Sequence, residues 1–114
     1  MPIQLETPNT PIKRIVKLTF REDAVDVFLN TVFEKSKDRI RAFPGCRLME
    51  LLQQTDRPEV LFTFSVWENA DALEAYRQSE LFQQTWAATK ALFAEKAEAW
   101  SMAVLDNGDP TTSI

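Results

Sequence analysis

The sequence has 114 residues, 45% hydrophobic and 26% charged, which is the composition of one globular domain with a modest core. Its formal net charge of −4 argues against nucleic-acid binding, because contact with phosphates requires a basic surface. With no histidine and a single cysteine, Cys46, the chain offers no histidine-based catalytic group, protein-built zinc site or internal disulfide. We therefore expect no metal, no cofactor and no nucleic-acid partner.

The chain shows no segment typical of membrane insertion or export. No apolar run approaches the roughly 20 residues that a membrane span needs, and the start lacks a basic region followed by an apolar one. The expected location is the cytoplasm.

The first half of the chain predicts an arm, a strand and a helix. Residues 1–11 hold three prolines and are expected to form a flexible N-terminal arm. Residues 12–20 alternate with period two, with Arg14 and Ile15 as exceptions, and predict a strand. Apolar residues then recur every three or four positions up to Pro44-Gly45, which predicts an amphipathic helix that Phe28 helps to anchor.

The middle of the chain predicts a β-hairpin. Residues 46–54 and 59–67 read as strands joined by a short turn, so they should pair antiparallel. In the second strand both faces are largely apolar, which is typical of a strand inside a covered sheet.

The last third of the chain predicts a helical segment followed by a strand. Asn69 is a good N-cap for helical periodicity over residues 70–96, and Ser79 is expected to divide it into two helices. Residues 97–106 alternate as a final strand, and residues 107–114 are expected to be a tail. Residues 12–106 then form one domain.

The order β-α-β-β-α-β predicts an α+β, ferredoxin-like fold, with a four-stranded antiparallel sheet and helices on one face. The other face was expected to carry Leu61, Trp67, Leu51 and Met49. Because such a face is too apolar for water, we expect a homodimer formed through the open face of the sheet.

A family resemblance rests on two motifs, "FPGC" after the first helix and "SVWENADALEAYRQSELF" from the end of a strand into the next helix. Together they resemble the antibiotic biosynthesis monooxygenase (ABM) domain of the dimeric α+β barrel superfamily, over about residues 12–106. The resemblance implies a dimeric α+β barrel. It also implies a cofactor-independent monooxygenase that acts on a small aromatic or polycyclic phenol or quinol.

The same resemblance implies where such a site would lie. Trp67 and Tyr76 are the candidate catalytic residues, with Tyr76 orienting a substrate oxygen. The candidate substrate-binding residues are Thr63, Ser65, Phe64, Phe28, Phe82 and Trp86. The ligand would be small, apolar and aromatic, and would need a closed cavity of roughly a few hundred Å³ between sheet and helices, with a polar group facing it.

Two positions keep other functions open. Tyr76 stands where many members of the family carry a histidine, which favours an alternative: a non-catalytic homodimer that binds a small ligand, or a stress-related protein of the same fold. Trp86 stands where the haem-degrading branch places its iron ligand, and an indole does not coordinate iron, so we do not expect haem chemistry.

Overall fold

A four-stranded antiparallel sheet organises the fold. The computed structural model describes residues 10–108, so residues 1–9 of the predicted arm and 109–114 of the predicted tail lie outside the described residues. The strands are β1 Ile12–Thr19, β2 Cys46–Gln53, β3 Val60–Trp67 and β4 Glu98–Ala103. Their order is β2-β3-β1-β4, so that β1 and β3 are the central strands.

The helices follow the strands in the predicted order. A 3₁₀ turn, Glu22–Ala24, leads into α1 Val25–Val27, and a π-helical stretch, Phe28–Phe33, joins α1 to α2 Glu34–Arg41. After β3 come α3 Ala70–Arg77 and α4 Glu80–Lys90. The β-α-β-β-α-β prediction and the ferredoxin-like fold are confirmed, including the antiparallel β2–β3 hairpin.

The two predicted caps are confirmed. The Asn69 side chain accepts a hydrogen bond from the Ala72 amide at 2.9 Å and begins α3. The Ser79 hydroxyl accepts from the Phe82 amide at 3.1 Å and begins α4. Each satisfies an amide that has no partner within its helix.

The predicted end of the last helix, at residue 96, is wrong. Helix α4 ends at Lys90 because the backbone that follows it bonds to the end of β1. The Leu92 carbonyl accepts from the Arg21 amide at 3.1 Å, and the Ala94 amide donates to the Thr19 carbonyl at 2.8 Å. These long-range bonds replace the hydrogen bonds that would extend α4. No local pattern in the sequence predicts them.

The π-helical stretch turns two aromatic rings in the same direction. Its amide bonds span five residues, so side chains five positions apart share a face. Phe28 and Phe33 are so spaced, and their ring centroids lie 6.1 Å apart. The recurrence of apolar residues every three or four positions in the sequence does not predict this five-residue spacing or the inward position of Phe33.

The side-chain faces of the sheet differ from the prediction. Leu61, Trp67, Leu51 and Met49 lie on the face covered by the helices, not on the open face. In β3 both faces are apolar, so the alternation alone did not decide which one the helices cover. In β2 the register shifts between Cys46 and Leu48, and this irregularity reverses the faces of the residues that follow.

The open face is nevertheless strongly apolar. Side chains on this face stand in register across all four strands, as in the central row Glu50–Phe64–Ile15–Trp100. Trp100 and Met102 are each 45% exposed, although both are large and apolar. The remaining apolar members are Leu48, Leu52, Phe62 and Val66. A group of exposed apolar side chains that spans all four strands is typical of an interaction site.

Gly45 allows the turn after the first helix to lie against the start of α3. Its φ is +88°, in the region that favours glycine, and its carbonyl accepts from the Glu68 amide at 2.8 Å. A Cβ at this position would clash with the Cβ of Ala72. The turn thereby fixes where α3 begins relative to the sheet.

We predict that Gly45→Ala lowers the free energy of unfolding by about 1–3 kcal/mol, from backbone strain and the clash with Ala72. Chemical denaturation at fixed protein concentration measures it. Gly108→Ala is the matched control, because Gly108 also has a positive φ but no heavy atom within 4 Å of the added Cβ. Equal effects of the two substitutions would contradict this role of the contact.

Candidate active site

A cavity of about 280 Å³ lies between the covered face of the sheet and the helices. Strand residues form its floor, the segment from Phe28 to Ile40 forms one wall, and α3 and α4 form the other. The volume is near the lower end of the range for small-molecule pockets. A volume of this size suits a small ligand.

A continuous chain of aromatic contacts borders this cavity. Successive ring centroids lie 4.6–6.3 Å apart, in stacked, tilted and edge-on geometries typical of favourable aromatic pairs. The chain contains nine of the twelve aromatic side chains, in the order Phe43, Trp67, Tyr76, Phe82, Trp86, Phe93, Phe20, Phe28 and Phe33. Six of these rings line the cavity, and the other three, Phe43, Phe93 and Phe20, contact the lining rings.

Trp67 is the most firmly fixed of these rings. It is 1% exposed, and its Nε1 donates a hydrogen bond to the Ser65 Oγ at 3.0 Å. Trp67 and Ser65 are two residues apart on β3 and therefore share the covered face. The bond leaves the Ser65 hydroxyl proton free to donate toward the cavity.

Tyr76 presents its phenol to the cavity from α3. Its ring stacks on Trp67 with a centroid separation of 4.9 Å, and within residues 10–108 its hydroxyl has no protein hydrogen-bond partner. Burial raises the pKa of Tyr76 to about 12, with a smaller rise from Cys46, against the opposing influence of Arg14. At neutral pH Tyr76 is therefore a neutral donor and does not accept a proton as a general base.

Arg14 is a cavity residue that sequence reasoning missed. It lies on β1 directly between Ser65 of β3 and Ser101 of β4, and its Nη1 donates to the Ser101 Oγ at 2.8 Å. Burial lowers the pKa of Arg14, and the nearby Arg77 lowers it further. The signal in the sequence is an arginine at an inward position of a strand, where it interrupts the alternation of apolar and polar residues.

Seven of the eight predicted site residues line the same cavity. They are Thr63, Ser65, Trp67, Tyr76, Phe28, Phe82 and Trp86. Phe64 does not line it: it lies on the open face of the sheet, where Lys13 stands 5.9 Å above its ring centroid. It alternates with Thr63 and Ser65 along β3, so it points to the opposite side.

Other lining residues had no motif to mark them. Ser36 and Thr89 are buried, but their hydroxyls donate to carbonyls one turn earlier in their own helices, at 2.7 Å each. Arg77 reaches the cavity at the end of α3 and pairs with Glu74 at 3.2 Å. Only Arg14, Tyr76 and Arg77 are titratable among the lining residues of the described chain.

Two further observations concern metals and membranes. Within residues 10–108, no three side chains of the types that usually bind metal lie close enough to hold an ion together. In the same range, no helix is both long and apolar enough to cross a membrane.

Comparisons with known proteins point to one family. The family described as antibiotic biosynthesis monooxygenase matches residues 11–88. No curated protein matches this chain significantly.

Several solved structures share the fold. Rv0793 from Mycobacterium tuberculosis is 24% identical, with a TM-score of 0.78, covering 87% of this chain and 99% of that one. PA3566 from Pseudomonas aeruginosa is 20% identical, with a TM-score of 0.74 and coverages of 88% and 99%. A structure described as antibiotic biosynthesis monooxygenase is 18% identical, with a TM-score of 0.77 and coverages of 83% and 99%. At these identities the likeness shows the fold.

We predict that the single tyrosine titrates with a pKa of about 12 in the folded protein and near ~10 in denaturant. Because the folded pKa is raised, the associated stability is complete below ~10 and is lost as the pH rises through about 12. The ultraviolet absorbance of tyrosinate follows this titration, and circular dichroism at each pH confirms that the fold persists. A folded-state value near ~10 would contradict the buried environment of Tyr76.

Proposed function

Since the chain belongs to the antibiotic biosynthesis monooxygenase family, we propose that it is a cofactor-independent monooxygenase that oxidises a small aromatic phenol or quinol. The observation that carries this proposal is the unfilled, aromatic-lined cavity of about 280 Å³ with hydrogen-bond donors on its floor and wall. A flat aromatic substrate matches both its lining and its size.

The proposed reaction uses the substrate itself as the electron donor. A phenol loses its proton to solvent water, and the ring carbon conjugated with the resulting oxyanion is electron-rich enough to reduce O₂. One oxygen atom becomes bonded to that carbon as a carbonyl, while the hydrogen that the carbon carried and the proton released from the phenol leave with the second oxygen atom as water. Substrate, O₂ and products balance without a further reductant.

The protein contributes position and environment to this reaction. The Trp67 indole, fixed by Ser65, offers a flat surface against which a ring stacks, and the surrounding rings exclude water. Tyr76, neutral at pH 7, donates a hydrogen bond to the substrate oxygen as negative charge develops there. No lining side chain of the described residues accepts a proton at that pH, which is why the phenolic proton is assigned to solvent.

The lack of a base also supports a second candidate function. A protein that only binds a small aromatic ligand needs the same cavity but no proton acceptor. In this case Trp67, Tyr76 and the neighbouring rings recognise a ligand that leaves unchanged, and the protein acts as a carrier or a sensor. Only the monooxygenase consumes oxygen, so a measurement of oxygen uptake distinguishes the two functions.

The open face of the sheet supports a homodimer. Its apolar residues lie in rows across four strands, and the half-exposed Trp100 and Met102 would be covered by the same face of a second copy. Stacking two such faces would make a dimeric barrel, with each cavity on the outer side of its own sheet.

We predict that the protein consumes oxygen with at least one member of a panel of quinols and anthrones. Tyr76→Phe should lower kcat roughly tenfold or more, because a donor to the oxyanion is lost. Trp67→Phe should raise KM, because the stacking surface shrinks and the bond to Ser65 disappears. A Clark electrode measures the rate of oxygen uptake at a series of substrate concentrations, which gives kcat and KM for each protein.

Trp100→Phe is the control for that experiment, since it makes the same chemical change on the opposite face of the sheet. Its rate should equal that of the wild type. Background oxygen uptake by all four proteins across the panel would reject the monooxygenase and leave the binding function.

We predict a particle of twice the 13.1 kDa chain mass at micromolar concentration, measured by sedimentation velocity. Phe64→Asp places a charge in the central row of the open face and should give single chains, whereas Gln83→Asp on the exposed side of α4 should leave the dimer intact. A wild-type protein that sediments as a single chain at every concentration would contradict the dimer.

A further inference from the structure

Arg14 is a charged side chain that makes no ion pair with a carboxylate of the described residues, although Glu74 interacts with it at longer range. Within residues 10–108 no carboxylate lies within ion-pair distance of its guanidinium, although other surface arginines have such partners. Its guanidinium donates a hydrogen bond to a neutral hydroxyl, that of Ser101. A guanidinium carries five N–H donors, so most of its hydrogen-bonding capacity remains unused.

The position of Arg14 directs that capacity into the cavity. Three residues stand side by side on the covered face of adjacent strands, in the order Ser65, Arg14, Ser101. Ser101 holds one edge of the guanidinium, and Ser65 offers a hydroxyl donor on the other side. This polar row crosses the floor of an otherwise apolar space.

The other charges around the cavity do not neutralise Arg14. Arg77, from α3, adds a second positive charge, and the Glu74 carboxylate nearby is already paired with Arg77 at 3.2 Å. The remaining titratable groups that interact with this region are the phenol of Tyr76 and the thiol of Cys46. The parts of α4 and β4 that line the cavity contribute no titratable side chain.

A half-buried guanidinium with unused donors can form charge-assisted hydrogen bonds with an anionic ligand in the cavity. We propose that the cavity binds its aromatic ligand as an anion, with the Arg14 guanidinium bonded to the ligand's negatively charged oxygen. Tyr76 and Ser65 donate to the same oxygen, and the ring system lies among the aromatic side chains. The identity of the ligand as a phenol rests on the proposed function, but anion binding does not require turnover.

Arg14 allows a phenol to ionise in a site that contains no base. A charged donor favours the phenolate over the phenol, so that the ligand ionises more readily once it is bound. The preferred substrates are then phenols and enols that are already partly ionised near neutral pH. Arg14 is the residue that selects them.

The test uses 4-nitrophenol, whose phenolate form has its own visible absorption band, and the neutral analogue 4-nitroanisole, which has the same ring. We expect wild-type protein to bind the phenolate at least tenfold more tightly than 4-nitroanisole. We also expect the apparent pKa of bound 4-nitrophenol to fall by about one unit, since a tenfold preference for the anion equals one unit. Binding is measured under nitrogen, so that no oxygen chemistry intervenes.

Arg14→Gln should remove the preference, raising the Kd of the phenolate tenfold or more while that of 4-nitroanisole stays the same. Arg14→Lys should restore part of it, because the charge returns without the planar fork. Arg47→Gln is the control, since Arg47 is exposed and does not line the cavity. Thermal unfolding checks that each variant is folded. If Arg14→Gln does not fold, the comparison of the two probes with the wild-type protein still tests whether the cavity prefers the anion.

The outcomes separate this inference from the proposed function. Equal binding of the two probes by the wild type, or an unchanged preference in a folded Arg14→Gln, overturns the role of Arg14 but leaves the cavity as an aromatic site. Failure of both probes to bind at millimolar concentration overturns the aromatic site itself and this inference with it. Anion-selective binding of the probes, together with no oxygen uptake across the panel of quinols and anthrones, supports the role of Arg14 and favours the binding function.

Discussion

The structure depends on a central strand, β3, that carries apolar side chains on both faces. Burial of apolar area is the dominant favourable term in folding, so each face of this sheet needs a cover. The helices cover one face, and the cavity lies within that layer. The other face, with Phe64 at its centre, is the surface for which the proposed second copy supplies a cover.

The cavity persists because aromatic rings border it. Each aromatic pair contributes about 0.5–1.5 kcal/mol beyond its buried area, and a ring held by two neighbours does not collapse inward without losing both contacts. The π-helical stretch adds Phe28 and Phe33 to this border, and Ser65 fixes the indole of Trp67. The proposed chemistry relies on this rigidity, since the protein supplies position and exclusion of water rather than a reactive group.

Local patterns in the sequence predicted the order of the elements and both caps, and the family resemblance pointed to seven of the residues that line the cavity. What they missed came from long-range or irregular structure. The irregular register after Cys46 reversed the faces of β2, and the π-helical spacing brought in Phe33. Arg14 went unrecognised because its meaning depends on Ser65 and Ser101, residues from distant parts of the chain that only sheet pairing brings beside it.

The central claim is that an aromatic molecule fits between the sheet and the helices without displacing the rings that line the space. A crystal structure of the protein soaked with 1-naphthol tests it most directly. The account predicts naphthol density between Trp86 and the sheet, with its oxygen within hydrogen-bond distance of Arg14. Side chains of Phe82 and Trp86 folded into that space, with no density for the ligand, would contradict the account.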